Sequence, residues 1–473
     1  MAVTATERKL LVGGEWIETG DWHEVRSPYS GDVVGRVAKA GADETRRAID
    51  AAEAAMREPL PTHKRAEILV RVAGALGRRH DEVARLISDE AGKPMKAARV
   101  EARRAMSTYT FAAVEARKLA GEMVPMDASQ AGEGKLAFTL RRPIGIVGAI
   151  TPFNFPLNLV AHKLAPALAA GCGVVLKPAS QTPLSALLLA ELEEEAGLPP
   201  GWLNVVVGSA SEIGDVLIED ERVKAITFTG SGTVGWTLKE RAPKKRVNLE
   251  LGNATPVIVC ADAPDSTIDK IAANAFSFAG QSCISIQRVY VAAESWDDFV
   301  RDLVPKVEAL KVADPADEET DVGPVIDEDA RDRILEWISS TSGDVVTGGE
   351  TTDDGLIRPT VIVNPDRRDK VSCEEVFGPV VTVTKTTSLD EAIALANSTR
   401  YGLQAGIFTQ SLNTALTAAS RLEFGGVTIN EAPTFRADQM PYGGVKDSGN
   451  TREGPHYAVR ELTEERVVVV DLP

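Results

Sequence analysis

The sequence predicts an α/β protein built on parallel sheets with helices on both faces. From about residue 144, short β-branched runs alternate with helical stretches of roughly a dozen residues, the pattern of βαβ units. A second alternating series starts at PVIVC (256–260), so two such sheets are expected. The length of 473 residues leaves room for two or three domains with generous cores.

The elements follow in order. The first third reads as helix-rich after a short β opening. Apolar and small residues recur at helical spacing from about residue 43 and again over 63–91, where Gly92 and Pro94 signal a stop. A third helix passes through Glu101 and Arg104 to about Leu119. After a polar stretch at 132–135 the alternation begins with IGIVGAI (144–150), LNLVAHKLAPALAAG, GVVLK and TPLSALLLAELEEEAG. LNVVVG, SEIGDVLI, AITFTG and TVGWTLKE continue it. VYVAA and a helix from near Trp296 to Leu310 belong to the second series. The tail ERVVVVDL (465–472) reads as a strand with no local partner, open to pairing with another subunit or to lying at an intramolecular edge.

Composition bounds the function. There are 52 basic and 69 acidic side chains, a net charge of −17, with 44% hydrophobic and 26% charged residues, as in a soluble globular protein. A chain so acidic has no basic surplus for nucleic acid. No apolar run reaches the ~18 residues of a membrane span, and MAVTATERKLLVGGEW contains no signal-peptide stretch. Cys172, Cys260, Cys283 and Cys373 are scattered without a CxxC pair, which fits a reduced cytoplasm, and no metal-binding cluster is evident.

Two strings carry chemistry. GSGTVG (230–235) follows a strand and opens a helix, so Gly230 and Gly235 frame a GxGxxG turn suited to a pyrophosphate; Glu250 follows Gly230 by 20 residues, the spacing of a ribose-binding acid. Cys283 stands in FAGQSCISIQRV, where Gly280, Gln281 and Ser282 do not read as core and a thiol could be exposed and activated. Cys172 and Cys260 lie in apolar contexts and read as buried. A cysteine hydrolase would need one of His23, His63, His80, His162 or His456, and none sits in a hydrolase motif.

TPFNFP (151–156), VVLKPAS (174–180), FTGSGTVG (228–235), LELGN (249–253), GQSC (280–283), EEVFGP (374–379) and PYGGVKDSG (441–449) occur together and in order. Over essentially the whole chain this resembles the NAD(P)-dependent aldehyde dehydrogenase superfamily. The resemblance implies two Rossmann-like α/β domains plus a small β oligomerisation element. Coenzyme would bind 1–124 and 144–249, catalysis would use 250–441, and 125–143 with 442–473 would form the oligomerisation element and tail of a homodimer or homotetramer. It further implies Cys283 as nucleophile, Asn154 with the Cys283 N–H as oxyanion donors, and Glu250 as general base in place of the ribose role. Lys177, Ser231, Glu375 and Phe377 would hold NAD or NADP, with Thr151, Phe153 and Ser180 beside them.

Two departures stand out. Ser180 replaces a glutamate that often holds the adenosine ribose and repels a 2′-phosphate, so NADP is admitted. Asn253 replaces a glycine, and asparagine tolerates a left-handed backbone.

Arg104, Asn158, His162, Arg436 and Tyr442 fall on the substrate side, where members that take long or aromatic aldehydes carry rings. Asn158 and His162 are four apart and share a helix face. Two guanidiniums suit a carboxylate, phosphate or sulfonate, unless Arg104 pairs with Glu101 and Arg436 with Asp438. INEAPTFRADQMPYGGVKDSG and ISIQRVYV resemble most the lactaldehyde and non-phosphorylating glyceraldehyde-3-phosphate dehydrogenase-like branch, with sulfolactaldehyde and succinate semialdehyde as further substrates to consider. A CoA-acylating relative would lack Glu250, and a cysteine hydrolase would leave Lys177 and the glycine turn without a task. A catalytically silent structural member would not need Cys283, Glu250 and Asn154 together.

Overall fold

The computed structural model describes residues 6–472. Its frame is two seven-stranded sheets. In the first, neighbouring strands run in the order Arg246–Glu250, Val223–Thr229, Ile146–Ile150, Val174–Lys177, Leu203–Val205, Leu10–Val12 and Glu15–Ile17. The first five are parallel and the last two antiparallel. The chain starts this parallel set at Ile146–Ile150, fills outward on one side, then crosses to the other. Strand order therefore reverses between Ile146–Ile150 and Val223–Thr229, which leaves a crevice at their C-terminal ends.

The second sheet has the order Asp344–Thr347, Thr360–Val363, Val380–Thr386, Ile286–Ala292, Thr255–Val259, Gln404–Phe408 and Gly426–Ile429, parallel except at its first pair. Val174–Lys177 and Thr255–Val259 are buried at every position, as strands covered on both faces must be. The helix Asn158–Ala170 is likewise buried throughout, consistent with its nearly unbroken apolar sequence.

One expectation is corrected and one left open is decided. The periodic run 63–91 is two helices, Thr62–Arg78 and His80–Ala91, broken at Arg79, whose ψ of 20° leaves the helical range. The tail strand Thr463–Asp471 does find a partner inside the chain. It pairs antiparallel with Lys135–Pro143, which pairs in turn with Met123–Val124. Val467, Val469 and Val470 on it remain exposed. Among the described residues no helix is long and apolar enough to cross a membrane.

Candidate active site

The two sheets turn opposite edges toward one cleft. Thr151, Lys177, Gly230 and Glu250 lie at the C-terminal edge of the first. Cys283 precedes the strand Ile286–Ala292, and Glu375 and Phe377 precede Val380–Thr386, at the N-terminal edge of the second. A narrow cleft of about 30 Å³ brings Cys283, Glu250, Arg104, Asn158, Arg436 and Tyr442 onto its walls.

The loop carrying Cys283 is strained. Phe278, Ala279 and Gly280 all have left-handed backbone, with φ of 51°, 52° and 70°. For the two non-glycine residues this costs about 1–2 kcal/mol each. At Gly280 a Cβ would stand 2.1 Å from the Gly378 carbonyl oxygen, so only glycine fits. Gln281 holds the loop: its Oε1 accepts from Ile326 N at 2.8 Å, and its Nε2 donates to the Phe278 and Pro324 carbonyls. Gly280 and Gln281 are therefore buried, against the expectation from their polarity, because every polar atom of the Gln281 amide is satisfied. The Cys283 residue is half-buried. Burial pushes the Cys283 thiol up to about 12, against the pull of the Tyr442 hydroxyl 2.9 Å away. That hydroxyl, not an imidazole, is its side-chain partner. Cys172 is buried as expected, whereas Cys260 is half-buried just beyond its strand.

Glu250 ends the strand Arg246–Glu250, and both its carboxylate oxygens are buried without a hydrogen-bond partner. Burial raises its pKa well above the ordinary value, and the Glu453 charge adds to this while Arg436 and Lys163 oppose it. Asn154 Nδ2 donates to the Gln281 carbonyl at 2.9 Å, two residues before Cys283, while its Oδ1 is unpartnered. The Asn154 carbonyl accepts from buried Lys93 Nζ at 2.6 Å, and Lys93 pairs with buried Glu101. Glu101 also accepts from the Leu157 and Asn158 backbone N–H groups at 3.0 Å, closing the start of the next helix.

Neither arginine pairing anticipated from sequence forms. Arg104 donates to Asp438 through Nε and Nη2, and Arg436 to Glu453 at 2.9 Å. Glu101 is committed to Lys93, which leaves Arg104 free to reach across to Asp438. Asn158 and His162 do share a face, and both turn to Asp438 Oδ1, at 3.4 and 3.0 Å. His162 thus stands behind the cleft wall rather than on it. Burial acts against the Asp438 charge, yet His162, Arg104 and Arg436 hold its carboxyl well below the usual range. Glu453 is also bonded to Lys163 at 3.3 Å. Sequence reasoning named Asp438 only as a partner for Arg436 and passed over Glu453, Lys163 and Lys93; for Glu453 and Lys93 the available signal was a charged residue inside strings of small and turn-forming residues (TREGP, EAGKP).

On the coenzyme side, Lys177 is buried, which lowers its pKa to about 8, and its ammonium meets only the Pro178 carbonyl at 3.3 Å. It is not the solvated lysine that a strand end would suggest. Thr151 and Thr229 present buried hydroxyls without partners. Ser231 caps the helix Gly232–Arg241 without using its side chain. The Ser180 hydroxyl donates to Gly208 O at 3.2 Å. Glu375 accepts from Asn253 N, and burial raises its pKa to about 7. Phe153 meets Phe377 edge to face, with ring centroids 5.8 Å apart. Unsatisfied hydroxyls, a buried ammonium and a free helix N-terminus fit a polyhydroxylated diphosphate such as a dinucleotide. Two assignments change. Gly235 is a packing glycine, since a Cβ there would stand 2.5 Å from Leu251 Cδ2, and the Gly230 N–H is already bonded to Glu250 O. Asn253 is not left-handed; its amide bonds Thr255 and the Gln404 carbonyl.

The comparisons agree with this architecture. The model of the aldehyde dehydrogenase family matches residues 16–468. The chain is 43% identical over 466 residues to a 3-sulfolactaldehyde dehydrogenase of Priestia aryabhattai, covering 98% of each. It superposes with TM-score 0.96 on aldehyde dehydrogenase 21 from Physcomitrella patens in complex with the reaction product succinate, at 40% identity and 99% coverage of both. With glyceraldehyde-3-phosphate dehydrogenase GapN from Methanocaldococcus jannaschii, complexed with NADP, the TM-score is 0.92 at 38% identity, over 96% of this chain and 100% of that one. Cleft, sheets and relatives converge: the chain belongs to the aldehyde dehydrogenase family and is an NAD(P)-dependent aldehyde dehydrogenase.

Proposed function

We propose that the protein oxidises a short polar aldehyde bearing a hydroxyl or an anionic group, of the lactaldehyde, glyceraldehyde-3-phosphate or sulfolactaldehyde type, to its carboxylic acid. The observation that carries this reading is the pair of guanidiniums on the wall of the Cys283 cleft. Arg104 leaves Nη1 uncommitted, and Arg436 Nε is buried without a partner. A buried cationic donor of that kind favours an anion entering beside it. Succinate semialdehyde is the second reading, since the same guanidiniums suit a carboxylate and one similar structure holds succinate.

In the proposed reaction, Cys283 Sγ adds to the aldehyde carbon to give a thiohemiacetal. The oxyanion takes hydrogen bonds from the second Asn154 Nδ2 proton and the Cys283 N–H. NAD or NADP, when bound, supplies the hydride acceptor; Lys177, Ser231, Glu375 and Thr151 would hold it, with Phe153 and Phe377 as apolar walls. Cys283 then retains the acyl group as a thioester. Glu250, whose oxygens carry no other hydrogen bond, takes a proton from the attacking water, and burial strengthens it as a base. Ser180 leaves space and no repelling charge for a 2′-phosphate, so both coenzymes are accepted.

The domain division and the oligomer belong to the same reading. The proposed boundaries are 1–124 with 144–249, 250–441, and 125–143 with 442–473; the two seven-stranded sheets and the pairing of Thr463–Asp471 with Lys135–Pro143 support them. The exposed valines of Thr463–Asp471 favour a homodimer or homotetramer in the cytoplasm. The test is reduced-coenzyme formation with lactaldehyde, glyceraldehyde-3-phosphate, sulfolactaldehyde, succinate semialdehyde and benzaldehyde, each with NAD and NADP. Preference for the hydroxylated or anionic aldehydes supports the reading, and preference for benzaldehyde overturns it.

A further inference from the structure

The phenol of Tyr442 sits 2.9 Å from Cys283 Sγ and makes no other hydrogen bond among the described residues. Its position is fixed from three sides. The ring is buried with Ile284 and Leu403. The Arg436 guanidinium lies over its face, 3.7 Å from the centroid. Its backbone is bonded both ways to Glu453, at 3.1 and 2.6 Å. A hydroxyl held this firmly, aimed at the one sulfur in the cleft, has a single chemical use.

We propose that Tyr442 is a catalytic residue that donates the hydrogen bond stabilising the Cys283 thiolate before attack. The proposal rests on Cys283 being the nucleophile. While the sulfur is protonated either atom can donate; once its proton has left to solvent, only the phenol can. The charged groups around the sulfur do not do this work unaided. Glu250, from the end of the first sheet, and Glu375, from the loop before Val380–Thr386, both disfavour a second negative charge. Arg436 favours it, but is shared with Glu453, while Arg104 is held by Asp438. His162, the histidine nearest the cleft, is committed to Asp438 and Thr108. Burial keeps Tyr442 protonated well above its ordinary range, so it acts as a donor and not as a base.

Donation to a thiolate has a double signature. It raises the fraction of thiolate at a given pH, and it lowers the intrinsic reactivity of that thiolate, with a Brønsted slope of about 0.4–0.5. A hydrogen bond to a charged group shifts the equilibrium by about one pH unit or somewhat more. The test is alkylation of the full-length protein by iodoacetamide without added coenzyme. Only the thiolate displaces iodide, forming the C–S bond as the C–I bond breaks. Peptide mapping isolates Cys283 from the other three cysteines. In Tyr442→Phe, which keeps the ring beneath Arg436, the midpoint is expected to rise by about one pH unit. The rate between about pH 7 and 9, well below the midpoint, should fall about threefold.

A 3-fluorotyrosine at position 442, a stronger donor of nearly the same shape, must move the midpoint downward. This second variant decides the matter should Tyr442→Phe fold poorly. An alkylation rate between about pH 7 and 9 that is unchanged or raised in Tyr442→Phe, or unmoved by the fluorinated ring, overturns the proposal. Retention of aldehyde oxidation after complete Cys283 alkylation overturns instead the nucleophile reading on which it rests.

Discussion

Replacing Glu250 by glutamine is expected to stabilise the protein while crippling its turnover. In the unfolded chain this carboxyl ionises near 4.5; in the fold it keeps its proton to higher pH, because burial strips its water and Glu453 repels a second charge. A raised folded pKa contributes stability that is fully present below the unfolded value and is lost as pH rises through the window between the two. Against Glu250→Gln, which cannot ionise, the wild type should therefore lose up to about 1.4 kcal/mol per pH unit above about pH 4.5. For 473 residues the unfolding entropy is about 1 kcal/mol/K, so the melting temperatures should diverge by about 1.4 °C per unit. The gap therefore opens in favour of the variant as pH rises above about 4.5, and levels off once the folded carboxyl ionises too. Paired calorimetric scans at constant salt measure it. A difference that stays flat across this range would mean Glu250 ionises normally in the fold, and the electrostatic argument fails. Mixed rapidly with aldehyde and coenzyme, the same variant should release a burst of reduced coenzyme and then turn over slowly. A wild-type steady rate would remove Glu250 as the base.

Three further outcomes are expected. Cys283→Ala should abolish oxidation while leaving coenzyme affinity intact by fluorescence titration; lost affinity in a folded variant would contradict its assigned role. Ser180→Glu should lower the NADP-to-NAD ratio of kcat/KM by about tenfold or more, since a carboxylate would face the 2′-phosphate. An unchanged ratio would place the 2′-position elsewhere. Lys93→Met leaves Glu101 charged, buried and without its cation, a loss of about 3–5 kcal/mol, or about 3–5 °C in Tm. Adding Glu101→Gln should recover part of this, because an amide oxygen can still accept from Leu157 and Asn158; no recovery would argue against a stranded charge.

Much of this was legible in the residues. β-Branched runs alternating with helices forecast two parallel sheets, because strands buried on both faces cannot hide polar positions. The strings TPFN, GSGTVG, GQSC and EEVFGP lie at strand ends, where turn chemistry is visible locally. The ion pairs were not legible. Arg104 meets Asp438 334 positions away, and His162 meets it across 276, so nearest-neighbour guesses paired Arg104 with Glu101 and Arg436 with Asp438 instead. Exposure was also misjudged at Gln281. Polarity predicts solvent only when no buried partner is available, and here Ile326, Phe278 and Pro324 supply partners from other turns.

The contact of Gly280 with the Gly378 carbonyl bears on how this enzyme can be altered. The segment that presents the sulfur and the segment that carries Glu375 and Phe377 touch backbone to backbone, with no side chain between them to act as a cushion. They form one jaw, and neither half can drift without taking the other along. Tolerance of substitution in this jaw should consequently be correlated. A library that varies residues 278–282 alone, or 375–378 alone, would return mostly inactive proteins, whereas paired changes could preserve the reach from sulfur to hydride acceptor. Redesign for a different coenzyme or aldehyde is better begun at Arg104, Ser180 and Arg436, whose side chains line the space without setting its dimensions.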